Sequence, residues 1–118
     1  MNKLYYLSSC STCKRIIKQW PLIKTIDLID IKKNPLIDKD LEELYKITNS
    51  YESLFNNRAQ MLKKLNLSLN LLNENDFKKL LLTHYSFLKR PVLLFNSKIF
   101  IGNSKKNVDD AEIELSKK

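Results

Sequence analysis

Cys10 and Cys13 are the two cysteines of a chain of 118 residues, and they frame the run Cys10-Ser11-Thr12-Cys13. A thiol attacks as its thiolate, so its chemistry depends on what lowers its pKa. Before the pair, Leu4-Tyr5-Tyr6-Leu7 reads as a short strand, broken by Ser8 and Ser9. After it, Ile16, Ile17 and Trp20 fall at helical spacing from Ser11 or Thr12 onward, and Pro21 ends the run. The first cysteine therefore lies where a strand gives way to a helix. Free N–H groups of the first turn and the helix dipole favour an anion there, and Lys14 and Arg15 add positive potential. Cys13 follows about one helical turn later, close enough for its sulfur to reach Cys10 and close a disulfide. The chemistry this points to is thiol–disulfide exchange. Two other readings fit the same residues. One is half of a zinc site, with His84 as the remaining soft ligand. The other is a pair of inert cysteines buried on a helix face.

The elements that must position this pair can be read along the chain. Thr25 to Asp30 reads as a second strand and Lys32-Lys33-Asn34-Pro35 as a loop. Asp38 has the character of an N-cap, with Leu41, Leu44, Tyr45 and Ile47 as the inner face of a helix. Asn49 to Asn57 is polar and irregular, and Ala59 to Leu65 reads as helical. Asn73 caps a further helix with Phe77, Leu80 and Leu81 facing inward. Val92 to Phe95, a turn at Asn96-Ser97, and Lys98 to Ile101 make a hairpin pattern stopped by Gly102. Asn107 to Lys117 is a last, weakly amphipathic helix. The order is β-α-β, a helical insert, then β-β-α. It predicts an α/β domain with a small mixed four-stranded sheet, in the order of a thioredoxin-like fold. A single domain is expected over 1–118, with the insert at about 36–88.

In that order, Arg90-Pro91 precedes the third strand and packs beside the cysteine loop. A cis proline is expected there, because it aims the preceding backbone at the site instead of at a sheet neighbour. An arginine at that place binds an oxyanion or stabilises a thiolate, although an ordinary surface arginine fits the spacing equally well. His84 follows a helix and reads as a helix-end residue. Tyr5, Tyr6, Trp20, Phe95 and Phe100 read as core or core-edge residues and form no stacking platform for bases.

Composition removes several classes. An apolar content of 43% suffices for one core. No apolar run approaches the roughly 18 residues of a membrane span. One glycine cannot write a dinucleotide fingerprint or a P-loop. The net charge is +8, from 21 Lys+Arg against 13 Asp+Glu, but the lysines are scattered and describe a solvated surface better than a nucleic-acid groove. No direct nucleic-acid or membrane partner is expected. No secretory pattern is visible near the N-terminus, so the expected compartment is the reducing cytoplasm, where a persistent structural disulfide is disfavoured.

Taken together, Ser9-Cys10-Ser11-Thr12-Cys13-Lys14-Arg15, Asn57-Arg58 before a short helix, Leu88-Lys89-Arg90-Pro91-Val92-Leu93 and Ile101-Gly102-Asn103 resemble the ArsC/Spx family. That bacterial family holds glutaredoxin-linked arsenate reductases and Spx-type transcription regulators. The resemblance implies a thioredoxin-like fold with a helical insert. It implies that Cys10 is the nucleophile and that Cys13 is the resolving cysteine, matching the second cysteine of the Spx switch. It also implies that Arg58 and Arg90, with Pro91 at the strand start, serve substrate or thiolate. The chain departs from the reductases in having no arginine after Arg90. Lys105 and Lys106 are the cations nearest the place of their third arginine, and lysine does not reproduce its bidentate fork. It departs from the Spx regulators in lacking a glycine between Asn49 and Asn57. The implied function is an arsenate reductase-like thiol oxidoreductase, weak on arsenate itself, regenerated by glutathione and glutaredoxin or by thioredoxin. The alternative is an Spx-type redox-sensing regulator that binds the RNA polymerase α subunit. Electrons come from thiols, and no metal, flavin or nucleotide cofactor is implied.

Overall fold

The computed structural model describes residues 2–22 and 25–117. Strands β1 (Lys3–Tyr6), β2 (Asp27–Asp30), β3 (Val92–Phe95) and β4 (Lys98–Ile101) form one sheet in the order β2-β1-β3-β4. β1 runs parallel to β2 and antiparallel to β3, and β3 and β4 form an antiparallel hairpin. A parallel pair needs a crossover, which helix α1 (Ser11–Gln19) supplies. The hairpin closes on Asn96 and Ser97, with φ of 52° and 63°. Two left-handed residues in a two-residue turn match the twist of the flanking strands. The expected mixed four-stranded sheet is present, with β2 beginning at Asp27 instead of Thr25.

The chain divides into two compact units, 1–34 with 90–118, and 35–89. In the first, α1 and helix α5 (Lys105–Leu115) lie on the sheet around a core of Leu4, Ile16, Trp20, Leu93, Val108 and Ala111. All four residues of β3 are buried, which explains why that strand reads as an unbroken apolar run rather than an alternating one. Trp20 ends α1 and is 3% exposed; its indole N–H donates to the Val108 carbonyl at 3.0 Å, joining the two helices. Glu114 of α5 is nearly buried and accepts hydrogen bonds from Lys98 and Lys117, each at 3.0 Å.

The second unit holds α2 (Asp38–Thr48), α3 (Met61–Lys64) and α4 (Glu74–Thr83). Asn73 caps α4 as expected: its side chain accepts the Asp76 N–H, and Asp76 accepts the Asn73 N–H in return. Four expectations are corrected here. Asp38 is the first helical residue of α2, not its cap; Ile37 holds that place, and Asp40 three residues on accepts the Ile37 N–H at 3.0 Å. Leu41 and Leu44 are buried but Ile47 faces outward, because the helix is ending there. The polar run 49–57 contains a 3-10 turn over Glu52–Leu54 and two fully buried residues, Leu54 and Phe55. Phe55 stacks on Phe87 at 5.3 Å and meets Phe77 at 4.8 Å between ring centroids. Helical structure from Ala59 shrinks to one α-turn.

Two outcomes follow from this packing. Trp20→Ala removes the largest side chain shared by α1 and α5 and costs about 3–5 kcal/mol, measured by urea unfolding followed by far-UV circular dichroism. A loss below about 1 kcal/mol would contradict the packing described. Glu114 is held below the ordinary carboxylate range by hydrogen bonds from Lys117 and Lys98. A depressed folded-state pKa gives stability that is complete above the unfolded value and is lost as pH falls through the folded one. Between neutral pH and pH of about 3 the wild type therefore loses more stability than Glu114→Gln does. Parallel pH curves for the two proteins would show that the pairing carries no stability.

Candidate functional site

The site grows from the loop that links β1 to α1. After Tyr6 the chain turns through Leu7, Ser8 and Ser9, closed by the Cys10 N–H donating to the Leu7 carbonyl at 3.0 Å. Cys10 is the N-cap residue of α1, with extended backbone at φ −90° and ψ 116°, and its carbonyl accepts the Lys14 N–H. An N-cap side chain faces the unpaired N–H groups of the first turn. Here that side chain is a thiol.

Cys10 is half-buried and Cys13 is fully buried, and both are free thiols. Burial is the largest single effect on Cys10 and works against its thiolate. It is outweighed by the N–H and S–H of Cys13, the N–H of Thr12 and the charge of Arg90 together, so the Cys10 pKa lies below the ordinary thiol value. Burial also dominates at Cys13 and pushes its thiol up to about 11. The Leu7 N–H opposes that rise, the neighbouring Cys10 sulfur adds to it, and Arg90 works against it. Two thiols in one turn are thus driven in opposite directions. Of the two, Cys10 is the thiol whose ionisation is favoured, and Cys13 is the one that holds its proton more tightly and hydrogen-bonds to Cys10.

Arg90 is half-buried and its charge reaches both sulfurs. The Arg90–Pro91 bond is cis, as the fold order leads one to expect, and Pro91 is buried. The Pro91 carbonyl accepts the Gly102 N–H at 2.8 Å, extending the β3–β4 ladder by one bond. Gly102 has φ +91°, and an added Cβ would meet nothing within 4 Å. Its need is conformational, not spatial.

The remaining sequence candidates are placed as follows. Arg58 belongs to the second unit, exposed on a turn where its N–H donates to Asn56 Oδ1 at 3.1 Å. Lys105 and Lys106 begin α5 and are almost fully exposed; each is paired one turn on, with Asp109 at 2.7 Å and Asp110 at 2.8 Å. His84 Nδ1 accepts the Ser86 N–H at 3.1 Å and the ring stacks on Tyr85, the work of a turn cap. Among the described residues no group of three or more His, Cys, Asp or Glu is arranged to hold a metal ion. No helix among them is long and apolar enough to cross a membrane.

One residue under the loop has no place among the sequence candidates. Asp30, 6% exposed at the end of β2, accepts from Ser8 Oγ at 2.5 Å and from the Lys32 N–H at 3.2 Å. The signal was available: a lone carboxylate ending one strand of a parallel pair, beside a serine just beyond the end of the other.

A CxxC at the N-terminus of the first helix, with a cis-proline just before the third strand of a mixed sheet, is the arrangement of a thioredoxin-like fold. The chain belongs to the ArsC family, which it matches over residues 5–111. It is similar to the global transcriptional regulator Spx 2 of Bacillus anthracis, with 28% identity over 105 residues covering 86% of this chain and 79% of that protein. It is also similar to the regulatory protein MgsR of Bacillus subtilis, with 27% identity over 101 residues covering 83% of this chain and 79% of that protein. Among solved structures, an arsenate reductase (ArsC) related protein from Brucella melitensis superposes with a TM-score of 0.68 over 92% of both chains at 22% identity, a likeness of fold.

The contrast between the two sulfurs has a direct consequence. Brief alkylation of the reduced protein near neutral pH labels Cys10 first, as read by peptide mass mapping. Faster labelling of Cys13 would reverse the assignment.

Proposed function

We propose that this ArsC-family domain is a thiol–disulfide oxidoreductase in which Cys10 attacks and Cys13 resolves. The observation that carries this reading is the opposite treatment of the two thiols: Cys10, the N-cap residue of α1, has its pKa lowered, and Cys13 beside it, fully buried, has its pKa raised to about 11. The Cys10 thiolate attacks one sulfur of a substrate disulfide. A Cys10–substrate mixed disulfide forms, the substrate S–S bond breaks, and its second sulfur leaves as a thiolate that takes a proton from solvent. Cys13 then gives up its proton and attacks Cys10 Sγ. The Cys10–Cys13 disulfide forms and the remaining substrate sulfur leaves as a thiol. Two cysteine thiols are oxidised and one disulfide is reduced. An external thiol donor, glutathione with glutaredoxin or thioredoxin, returns the pair to the reduced form.

Arg90 is the cation this mechanism uses, through its charge at Cys10. The mechanism assigns no step to Lys105 and Lys106, each of which pairs with an aspartate one turn on. With no arginine after Arg90, arsenate is a poor substrate: the loss of one charge-assisted contact costs on the order of 1.5–3 kcal/mol, roughly ten- to a hundredfold in affinity. A second reading, a redox-sensing regulator whose Cys10–Cys13 disulfide alters a docking surface, is favoured by the regulators among the relatives. Capture of the RNA polymerase α subunit with no turnover of any disulfide would select it.

Cys13→Ser treated with a small aromatic disulfide accumulates the Cys10 mixed disulfide by intact mass, whereas the wild type passes on to the internal disulfide. Release of the adduct by Cys13→Ser at the wild-type rate would remove the resolving role. Arg90→Ala slows reaction at Cys10 at neutral pH by roughly two- to tenfold. Arsenate turnover matching that of a three-arginine reductase would show that the missing fork is immaterial.

A further inference from the structure

We propose that Asp30 is a positioning residue for the Cys10 thiol, acting through Ser8 to hold the turn that serves both sulfurs. The inference rests on Cys10 being the attacking thiolate. Asp30 is a carboxylate taken almost wholly out of water, which is unfavourable unless its oxygens are satisfied. What satisfies them is the chain on either side of the site. Ser8 Oγ donates to Asp30 Oδ2 at 2.5 Å, the Ser8 N–H approaches Oδ1 at 3.5 Å, and the Lys32 N–H donates to Oδ1 at 3.2 Å.

The backbone of Asp30 is fixed as well. It pairs with Tyr6 in the parallel register, and its carbonyl accepts the Lys33 and Asn34 N–H groups at 3.1 and 2.8 Å. Ser8 is thereby held against a rigid strand end. Ser8 lies inside the turn closed by Leu7 and Cys10. Leu7 contributes its carbonyl to the Cys10 N–H and its own N–H to the Cys13 sulfur. A shift of Ser8 would therefore move the backbone groups that face both thiols. A short O–H···O⁻ bond is stronger and more directional than a neutral one, which suits a fixed support.

The sign of the effect separates positioning from plain charge. Among the described residues, the charged or ionisable groups that act on Cys10 include Cys13 and Arg90, and Lys33 acts on Asp30. If Asp30 acted on Cys10 only as a negative charge, removing it would ease ionisation and lower the Cys10 pKa. If it holds the turn, removing it loosens the N–H groups aimed at Cys10 and raises that pKa. Ser8→Ala changes no charge and must act in the same direction.

The test is the pH dependence of Cys10 alkylation by iodoacetamide in the full chain, for wild type, Asp30→Ala, Asp30→Asn and Ser8→Ala, each checked for its melting temperature. Asp30→Ala and Ser8→Ala should raise the Cys10 pKa and slow alkylation at neutral pH by roughly three- to tenfold. The double variant should do little more than either alone. Asp30→Asn, which keeps one acceptor oxygen without the charge, should fall between Ala and wild type. A lower or unmoved Cys10 pKa in the Asp30 variants overturns the inference, as does a Ser8→Ala protein that loses only thermal stability. Ser8→Ala keeps the test decisive where Asp30→Ala fails to fold. An ordinary pKa for Cys10 in the wild type would overturn the proposed function and this inference with it. A depressed wild-type pKa that no variant moves would overturn only the inference.

Discussion

Everything at this site depends on where one sulfur stands relative to a helix end. The first turn of α1 has N–H groups with no partner inside the helix, and Cys10 occupies the cap position that faces them. A hydroxyl or carboxylate there would satisfy the helix and do nothing more. The Cys10 thiol makes no side-chain capping bond, but the first-turn N–H groups of Thr12 and Cys13 favour its ionised form, so the helix end and the chemistry pull the same way. Three residues on, inside the turn and fully buried, an identical side chain is pushed the other way. The sequence separation of one helical turn creates both the contact between the sulfurs and the contrast between them.

The rest of the first unit fixes that turn in space. β1 delivers the chain to Leu7, and its parallel partner β2 ends in the carboxylate that grips Ser8. The indole of Trp20 ties the far end of α1 to α5, so the helix is anchored at both ends. β3, buried along its length, opens with a cis-proline that follows Arg90, the cation whose charge reaches both thiols. None of these elements is specific to redox chemistry. Together they place a cap residue, its neighbour one turn on and a guanidinium on one short loop system.

Much of this could be read from residue order. The cysteine pair, the helix ended by Pro21, the hairpin with Asn96-Ser97 at its tip and the mixed sheet follow from period, turn chemistry and proline rules, and each stands in the structure. The errors cluster in 35–89, where local signals are weak. Asp38 is a good cap by type, but Asp40 three residues after Ile37 completes a reciprocal bond that local propensity does not reveal. Leu54 and Phe55 sit in a polar run and owe their burial to aromatic partners more than twenty residues away. Asp30 reads from the sequence only as the end of a strand, because its partner Ser8 comes beside it only when β2 is laid along β1. Lys105 and Lys106 read as the cations nearest a third arginine's place, and the pairing of each with Asp109 or Asp110 one turn on becomes visible only once the helix is formed.

The central claim is that Cys10 and Cys13 interconvert between dithiol and internal disulfide. Equilibration of the purified protein in glutathione buffers of graded redox ratio, followed by acid quenching and peptide mass mapping, tests it directly. The account predicts a single cooperative conversion from two alkylatable thiols to a Cys10–Cys13 disulfide, fully reversed by excess thiol, with any glutathione adduct transient and confined to Cys10. A stable glutathione adduct on either cysteine, or two thiols that stay reduced across the whole range, would contradict it.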